Sequence, residues 1–199
     1  LLLPFAGKAF HIDDPIAIYT GRHILKSPFM PFDFNFNWYG KEQSMWLEDN
    51  PPLIYYYVAA IIVIFGESEV SLHLSFLIFP VIAAIGMYFL GKRFTRQAFL
   101  CVILMIATPA FLVMSTNIML DVPLLAFYIA SIATFVYGVD RNDNRLKILS
   151  GILIGLAALT KYTGLTLIPL LAAYVVMKRK DIWKSLRIFL IPIFIFTLW

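Results

Sequence analysis

The chain has 199 residues, of which 61% are hydrophobic and 14% charged, and its mean hydropathy is +0.82. A soluble domain is usually about half apolar and about one quarter charged, so this composition predicts an all-α polytopic membrane protein instead. The formal charge of +4 is modest, no nucleic-acid partner is expected, and the single Cys101 excludes a disulfide framework.

The two ends of the chain are both apolar. Residues 1–10 begin with LLLPFAG, which we interpret as the end of a first transmembrane helix whose start is missing. The last stretch, IFLIPIFIFTLW, stops in mid-span. We therefore expect the chain to be a piece of a longer protein.

Residues 11–69 are predicted to form one extracytoplasmic loop that carries two interfacial helices. In DPIAIYTGRHIL, Asp14 precedes Pro15 at a helix start, and apolar or aromatic residues follow at helical spacing. The second segment, Pro51–Gly66, is short for a crossing and contains three tyrosines, which favour the membrane interface. Between them, Phe29–Gly40 shows neither helical nor strand periodicity; it is predicted to rest among lipid headgroups or to stack on a sugar ring.

Residues 70–199 are predicted to contain about six transmembrane helices, the last one cut short. The apolar runs are Val70–Leu90, Gln97–Thr116, Ile118–Gly138, Leu146–Thr160, Thr163–Met177 and Ile188–Trp199. Three connectors between them hold 11 of the 16 Lys and Arg residues but only 3 of the 12 Asp and Glu residues. Short basic connectors stay in the cytoplasm. We therefore expect a multi-pass plasma-membrane protein whose other acidic residues lie on the extracytoplasmic face.

Several polar residues on that face are candidates for function. A helix start explains Asp14 but leaves Asp13 without a structural role, and an ionised pair is costly near lipid. Asp121 stands at the mouth of a span, with Asn117 four residues earlier and predicted to share its helical face. Lys161 separates two short apolar runs, which predicts a tight outer turn. Glu48 and Asp49 precede the second interfacial helix, where the helix dipole favours acidic residues.

A carboxylate base and a cation on one face suit the displacement of a phosphate leaving group. The chain has no Gly-rich nucleotide-binding loop, HExxH or GxSxG element. The alternatives are a transporter or flippase of lipid-linked sugars, and a structural subunit of a polysaccharide assembly complex. Transporters bury ionisable residues at mid-membrane and show repeated halves, whereas here the acids gather at one face and no internal repeat is visible.

Four sequence features occur together in one order: an acidic pair after the first span, PPL-YY opening an interfacial helix, LD-PL between spans, and LTK between later spans. This order resembles the membrane glycosyltransferases of the GT-C fold. The resemblance is nearest to the dolichyl-phosphate-mannose–protein mannosyltransferase superfamily, which includes the aminoarabinose transferases of lipid A. It extends from about residue 11 to residue 177.

The resemblance implies an inverting transfer of mannose or a related sugar from a polyprenyl-phosphate donor to a protein, lipid or glycan acceptor on the extracytoplasmic face. Asp13 takes the place of the general base or of a group that orients the acceptor. Asp121 and Lys161 take the place of the groups around the donor phosphate, and Asp49 that of a ligand for a divalent metal cation in some members. Asp14 takes the place of the second acid, where Glu is usual. Further substrate- and phosphate-binding candidates are Asn50, Arg22 and Tyr55. The aminoarabinose branch has a lysine where this chain has Asn50, a departure that leaves the phosphate to Lys161, Arg22 or residues beyond this stretch.

Overall fold

The computed structural model describes residues 2–11, 13–47, 50–179 and 182–199. Most of these residues are helical. The α-helices are α1 (Asp14–Lys26), α2 (Leu53–Phe65), α3 (Glu69–Phe76), α4 (Ile78–Phe94), α5 (Ala98–Ile106), α6 (Pro109–Met114), α7 (Asp121–Asp140), α8 (Asn144–Thr160), α9 (Leu167–Lys178), α10 (Ile182–Leu186) and α11 (Leu190–Thr197). Short 3-10 helices cover Leu3–Phe5, Met45–Leu47, Tyr162–Thr166 and Arg187–Phe189, and two strands are β1 (Asn35–Trp38) and β2 (Lys41–Ser44).

Two helical segments among the described residues are long and apolar enough to cross a membrane: Glu69–Phe94, which joins α3 and α4, and Asp121–Asp140, which is α7. Shorter apolar helices cover Leu53–Phe65 and Tyr162–Lys178. A mostly helical protein with two candidate membrane-spanning helices among the described residues is therefore confirmed. The number of about six spans and the GT-C arrangement stay predictions.

The predicted run Gln97–Thr116 is not one continuous helix, because α5 ends before Pro109 and α6 begins there. Proline lacks a backbone N–H and excludes the preceding residue from the helical region. Thr108 accordingly has extended backbone angles of −68° and 130°. The helix predicted over Leu146–Thr160 begins earlier than predicted, at Asn144, because the Asp143 side chain accepts a hydrogen bond from the backbone N–H of Arg145 at 2.8 Å.

The segment Phe29–Gly40, predicted to be irregular, contains a strand, so that prediction is wrong at this point. β1 pairs antiparallel with β2, and Tyr39 and Gly40 connect them with φ angles of 52° and 78°. Positive φ at both turn residues is typical of a type I′ turn, whose backbone twist matches the right-handed twist of the paired strands. The signal was present in the alternation of Asn and aromatic residues along Asn35–Trp38.

Helix α1 packs along α2 at its one glycine. A β-carbon at Gly21 would lie 2.9 Å from Val58 Cγ1 and 3.3 Å from the backbone nitrogen of Ala59, so the two helices approach more closely than a larger residue would allow. The 13 residues of α2 correspond to about 20 Å, against the roughly 30 Å thickness of the hydrocarbon core. Its interfacial position stays a prediction.

Helix α7 packs between α4 and α8, while α5 packs against α4 and α11 against α8. The fully buried side chains there include Phe135 and Ile154. In this arrangement, the N-terminal end of α7 and the C-terminal end of α8 lie side by side, next to the start of α1.

Candidate functional site

A cavity of about 160 Å³ lies where the starts of α1 and α7 meet the end of α8. It brings together five of the predicted site residues: Asp13, Asn50, Tyr55, Asp121 and Lys161. The rest of its wall comes from Ile16, Ala17, Trp38, Ile118, Met119 and Leu120. Two carboxylates and one ammonium group from distant parts of the sequence thus line one small cavity, which we call the polar cavity.

Asp13 stands at the N-cap position of α1, with its side chain exposed. Its carboxylate makes no capping hydrogen bond to the helix. The capping prediction for Asp14 is one residue off, because Asp14 is already the first helical residue. An exposed carboxylate that is not occupied by the helix end can accept a proton from a molecule in the cavity.

Asp14 has a different position from its neighbour. It is fully buried, does not line the cavity, and accepts hydrogen bonds from the backbone N–H groups of Ile118 at 2.7 Å and His11 at 2.9 Å. His73 Nε2 lies 3.8 Å from its Oδ2 atom. Because Ile118 lies just before α7, Asp14 ties the start of α1 to the start of α7. It therefore positions Asp13 relative to Asp121 from inside the fold.

Asp121 and Lys161 form an ion pair, with Lys161 Nζ 2.8 Å from Asp121 Oδ1. Asp121 is the first residue of α7, and Lys161 follows α8 in an extended conformation with φ −147° and ψ 144°. A tight turn comes next, in which the Gly164 N–H donates to the Lys161 carbonyl at 2.8 Å. A β-carbon at Gly164 would lie 2.3 Å from the carbonyl carbon of Ala157, so this turn requires glycine.

Asn50 and Tyr55 enter the cavity from the Pro-Pro segment and the first turns of α2. Tyr55 is 2% exposed, and the Phe32 ring packs against it edge to face with 5.7 Å between the ring centroids. Asn117, predicted to share a helical face with Asp121, lies instead in a non-helical turn. It is hydrogen-bonded to Lys8 and donates to the Val113 carbonyl at 2.9 Å, away from the cavity.

Arg22 is not among the residues that line this cavity. It pairs with Glu67, and this hydrogen bond lowers the pKa of the Glu67 carboxyl below its ordinary value. Arg22 lines a second cleft, between α1 and β1. Asp49, the predicted metal ligand, and Glu48 lie outside the described residues. Within the described ranges, no group of three or more His, Cys, Asp or Glu side chains is arranged to hold a metal ion.

An apolar groove of about 340 Å³ adjoins the polar cavity, and Asp121 belongs to both. The groove lies between α5, α6 and the first turns of α7. Its walls include Met105, Phe111, Met114, Val122, Leu125 and Tyr128. The sequence did not predict this groove, because it depends on the break between α5 and α6 and on how those two short helices meet α7.

The family model described as dolichyl-phosphate-mannose-protein mannosyltransferase matches residues 49–199. Asn50, Tyr55, Asp121 and Lys161 fall inside the matched range, and Asp13 precedes it. No curated protein and no solved structure matches the chain.

Proposed function

The chain belongs to the dolichyl-phosphate-mannose-protein mannosyltransferase family, and we propose that it transfers a sugar from a polyprenyl-phosphate donor to a hydroxyl group on the extracytoplasmic face of a membrane. Glycosyltransferase activity in general follows from the family. The lipid-linked donor, the protein, lipid or glycan acceptor, the membrane face and the roles of individual residues are our proposal.

One observation carries the choice of donor: the polar cavity and the apolar groove meet at Asp121. A polyprenyl-phosphate sugar has a charged, hydroxyl-rich head and a long hydrocarbon tail. A site for it needs a polar chamber for the head and an apolar surface for the tail, directly joined. A nucleotide sugar has no tail, and the apolar groove would then have no role in binding it.

In the reaction we propose, the acceptor hydroxyl attacks the anomeric carbon of the donor sugar. A new carbon–oxygen bond forms on one side of that carbon while the bond to the phosphate oxygen breaks on the other, so the configuration inverts. Asp13 accepts the hydroxyl proton, because its exposed carboxylate is free of the helix end. The lipid phosphate leaves with the electron pair of the broken bond.

Lys161 is the candidate for stabilising the leaving phosphate. Its ammonium group has three N–H donors, and the hydrogen bond to Asp121 uses one of them. Asp121 therefore fixes the direction of the ammonium group while other donors remain for a phosphate. Charge-assisted hydrogen bonds of this kind are about twice as strong as neutral ones. Asn50, in the same cavity wall, offers an amide N–H₂ group as a further donor.

The test is transfer of labelled mannose from a synthetic polyprenyl-phosphate mannose by the purified full-length protein in lipid nanodiscs. We expect a covalent product of inverted configuration, and its loss in Asp13→Ala and Asp121→Ala variants that still insert into the membrane. Movement of intact donor across the bilayer of a sealed vesicle, without any covalent product, would instead support a flippase and overturn the proposal.

A further inference from the structure

Another cavity, of about 370 Å³, lies beside the polar cavity and has aromatic walls. Phe29, Trp46 and Tyr162 line it, together with Asn50. We call this space the aromatic cleft. Asn50 lines both the aromatic cleft and the polar cavity, and Tyr162 follows Lys161 directly in the chain. The two cavities are therefore adjacent, and Asn50 forms part of the wall of both.

The aromatic side chains of the cleft are open to a ligand. Trp46 is 56% exposed and Tyr162 46% exposed. The buried ring of Phe32 packs edge to face against Trp46, with 5.6 Å between the ring centroids. A supported, exposed indole next to an amide group offers an apolar face and hydrogen-bonding atoms at short range.

Aromatic residues near a membrane can also be interfacial anchors. Anchors are expected on a surface that faces lipid, whereas these residues line a concave space that shares Asn50 with the polar cavity. Polar atoms contribute to its wall as well as aromatic carbons. A lipid tail would suit the groove at α5 and α6 better, since that wall is largely apolar.

We infer that the aromatic cleft binds a pyranose ring of the acceptor, so that the acceptor is a glycan or glycolipid and not an unmodified peptide. This inference rests on the proposed function. The C–H face of the ring packs on Trp46, its hydroxyls reach the Asn50 amide, and the hydroxyl that attacks projects toward Asp13. The product is then a glycosidic bond between the donor's anomeric carbon and an acceptor-sugar oxygen, with the proton on Asp13 and the lipid phosphate released.

Binding is measured by saturation-transfer NMR on the full-length protein with the methyl pyranosides of mannose, glucose and galactose as probes. We expect saturation of the ring protons of at least one probe, and its loss in Trp46→Ala and in Tyr162→Ala. Tyr39→Ala is the matched control, because Tyr39 is an aromatic residue 86% exposed on the hairpin turn and lines neither cavity. This control is expected to keep the wild-type signal.

Kinetics with the pyranoside that binds supply a second readout. We expect Trp46→Ala to raise the acceptor KM about tenfold, as the loss of one aromatic contact implies, with the effect on KM and not on kcat. Trp46→Phe is expected to restore part of the affinity. A variant that has merely lost its fold would lose kcat as well and would not be rescued by Trp46→Phe.

Failure of the inference and failure of the proposed function give different results. If the wild-type protein consumes the lipid donor with a serine peptide but saturates no pyranoside, the inference is overturned and the proposed function stands. An equal pyranoside signal in wild type, Trp46→Ala and Tyr162→Ala also overturns it. If the donor is never consumed, the proposed function fails, and the acceptor assignment of the aromatic cleft fails with it.

Discussion

Replacement of Lys161 by methionine separates a catalytic role from a structural one. Methionine keeps most of the length and apolar surface of the lysine stem but removes the ammonium group. The substitution leaves Asp121 without its partner at 2.8 Å and the donor phosphate without a charged hydrogen-bond donor. Both losses occur at the same atom, Nζ, but their expected sizes differ.

The effect on stability is expected to be small. The Lys161 side chain is 27% exposed and that of Asp121 51% exposed, so water can solvate the carboxylate left behind. Ion pairs at such positions contribute about 1 kcal/mol or less. The effect on catalysis is expected to be larger, because in the proposed reaction the ammonium group faces charge that develops on the leaving phosphate. Removing one such donor costs about 2.7–4 kcal/mol, or about 10²–10³ in rate.

The assay is label transfer from polyprenyl-phosphate mannose, run beside thermal unfolding of the same purified variant. Lys178→Met is the control, because Lys178 lies in the last turn of α9, at the far end of that helix from Lys161. We expect Lys161→Met to lose transfer while its thermal midpoint stays near that of wild type. Transfer within tenfold of wild type, or an equal loss in Lys178→Met, would refute the role of Lys161.

Three further predictions concern the surroundings of the site. In Asp14→Asn, the amide N–H₂ group cannot accept a hydrogen bond, so one of the backbone N–H groups of Ile118 and His11 loses its acceptor. We expect the free energy of unfolding to fall by about 1–3 kcal/mol. An unchanged thermal midpoint would contradict this. Gly164→Ala places a methyl group 2.3 Å from a backbone carbon of Ala157, and a destabilisation of about 1–3 kcal/mol is expected; wild-type stability would show that the turn is not tight. The Arg22 hydrogen bond lowers the pKa of Glu67 below its ordinary 4.5, so the pair stabilises the fold above that pH and loses its effect as pH falls through the lowered value. Wild type should exceed Glu67→Gln in unfolding free energy by about 1 kcal/mol or less at pH 7, and this difference should shrink as the pH falls through the lowered pKa of Glu67; a difference that does not shrink on acidification would contradict this.

Features that depend on local sequence were largely predictable. Asp14 and Pro15 set the start of α1 within one residue, and the Pro-Pro segment sets the start of α2. The candidate residues Asp13, Asp121 and Lys161 line one cavity, although their roles stay a prediction. Each of them adjoins a helix end, where a chain must turn and where polar side chains find water.

Features that depend on tertiary contact were not predictable in the same way. Asp13 and Asp14 are adjacent in sequence, yet Asp14 is buried and accepts a hydrogen bond from the backbone N–H of Ile118, 104 residues away, whereas Asp13 is exposed. Asn117 was expected on the face of Asp121, but its partner is Lys8. The apolar groove arises from the meeting of two short helices with α7. No pattern within a single segment contains that information.

Single-turnover transfer by Asp13→Asn tests most directly whether the shared cavity is the active centre. Asparagine has nearly the same size and still accepts hydrogen bonds, but it cannot take the hydroxyl proton. The full-length variant is loaded with saturating polyprenyl-phosphate mannose and acceptor, and donor affinity is measured in parallel. We predict that donor affinity remains within a few-fold of wild type while the chemical step slows by about 10²–10⁴. A chemical step at the wild-type rate would show that the reacting hydroxyl does not meet Asp13 and that the active centre lies elsewhere.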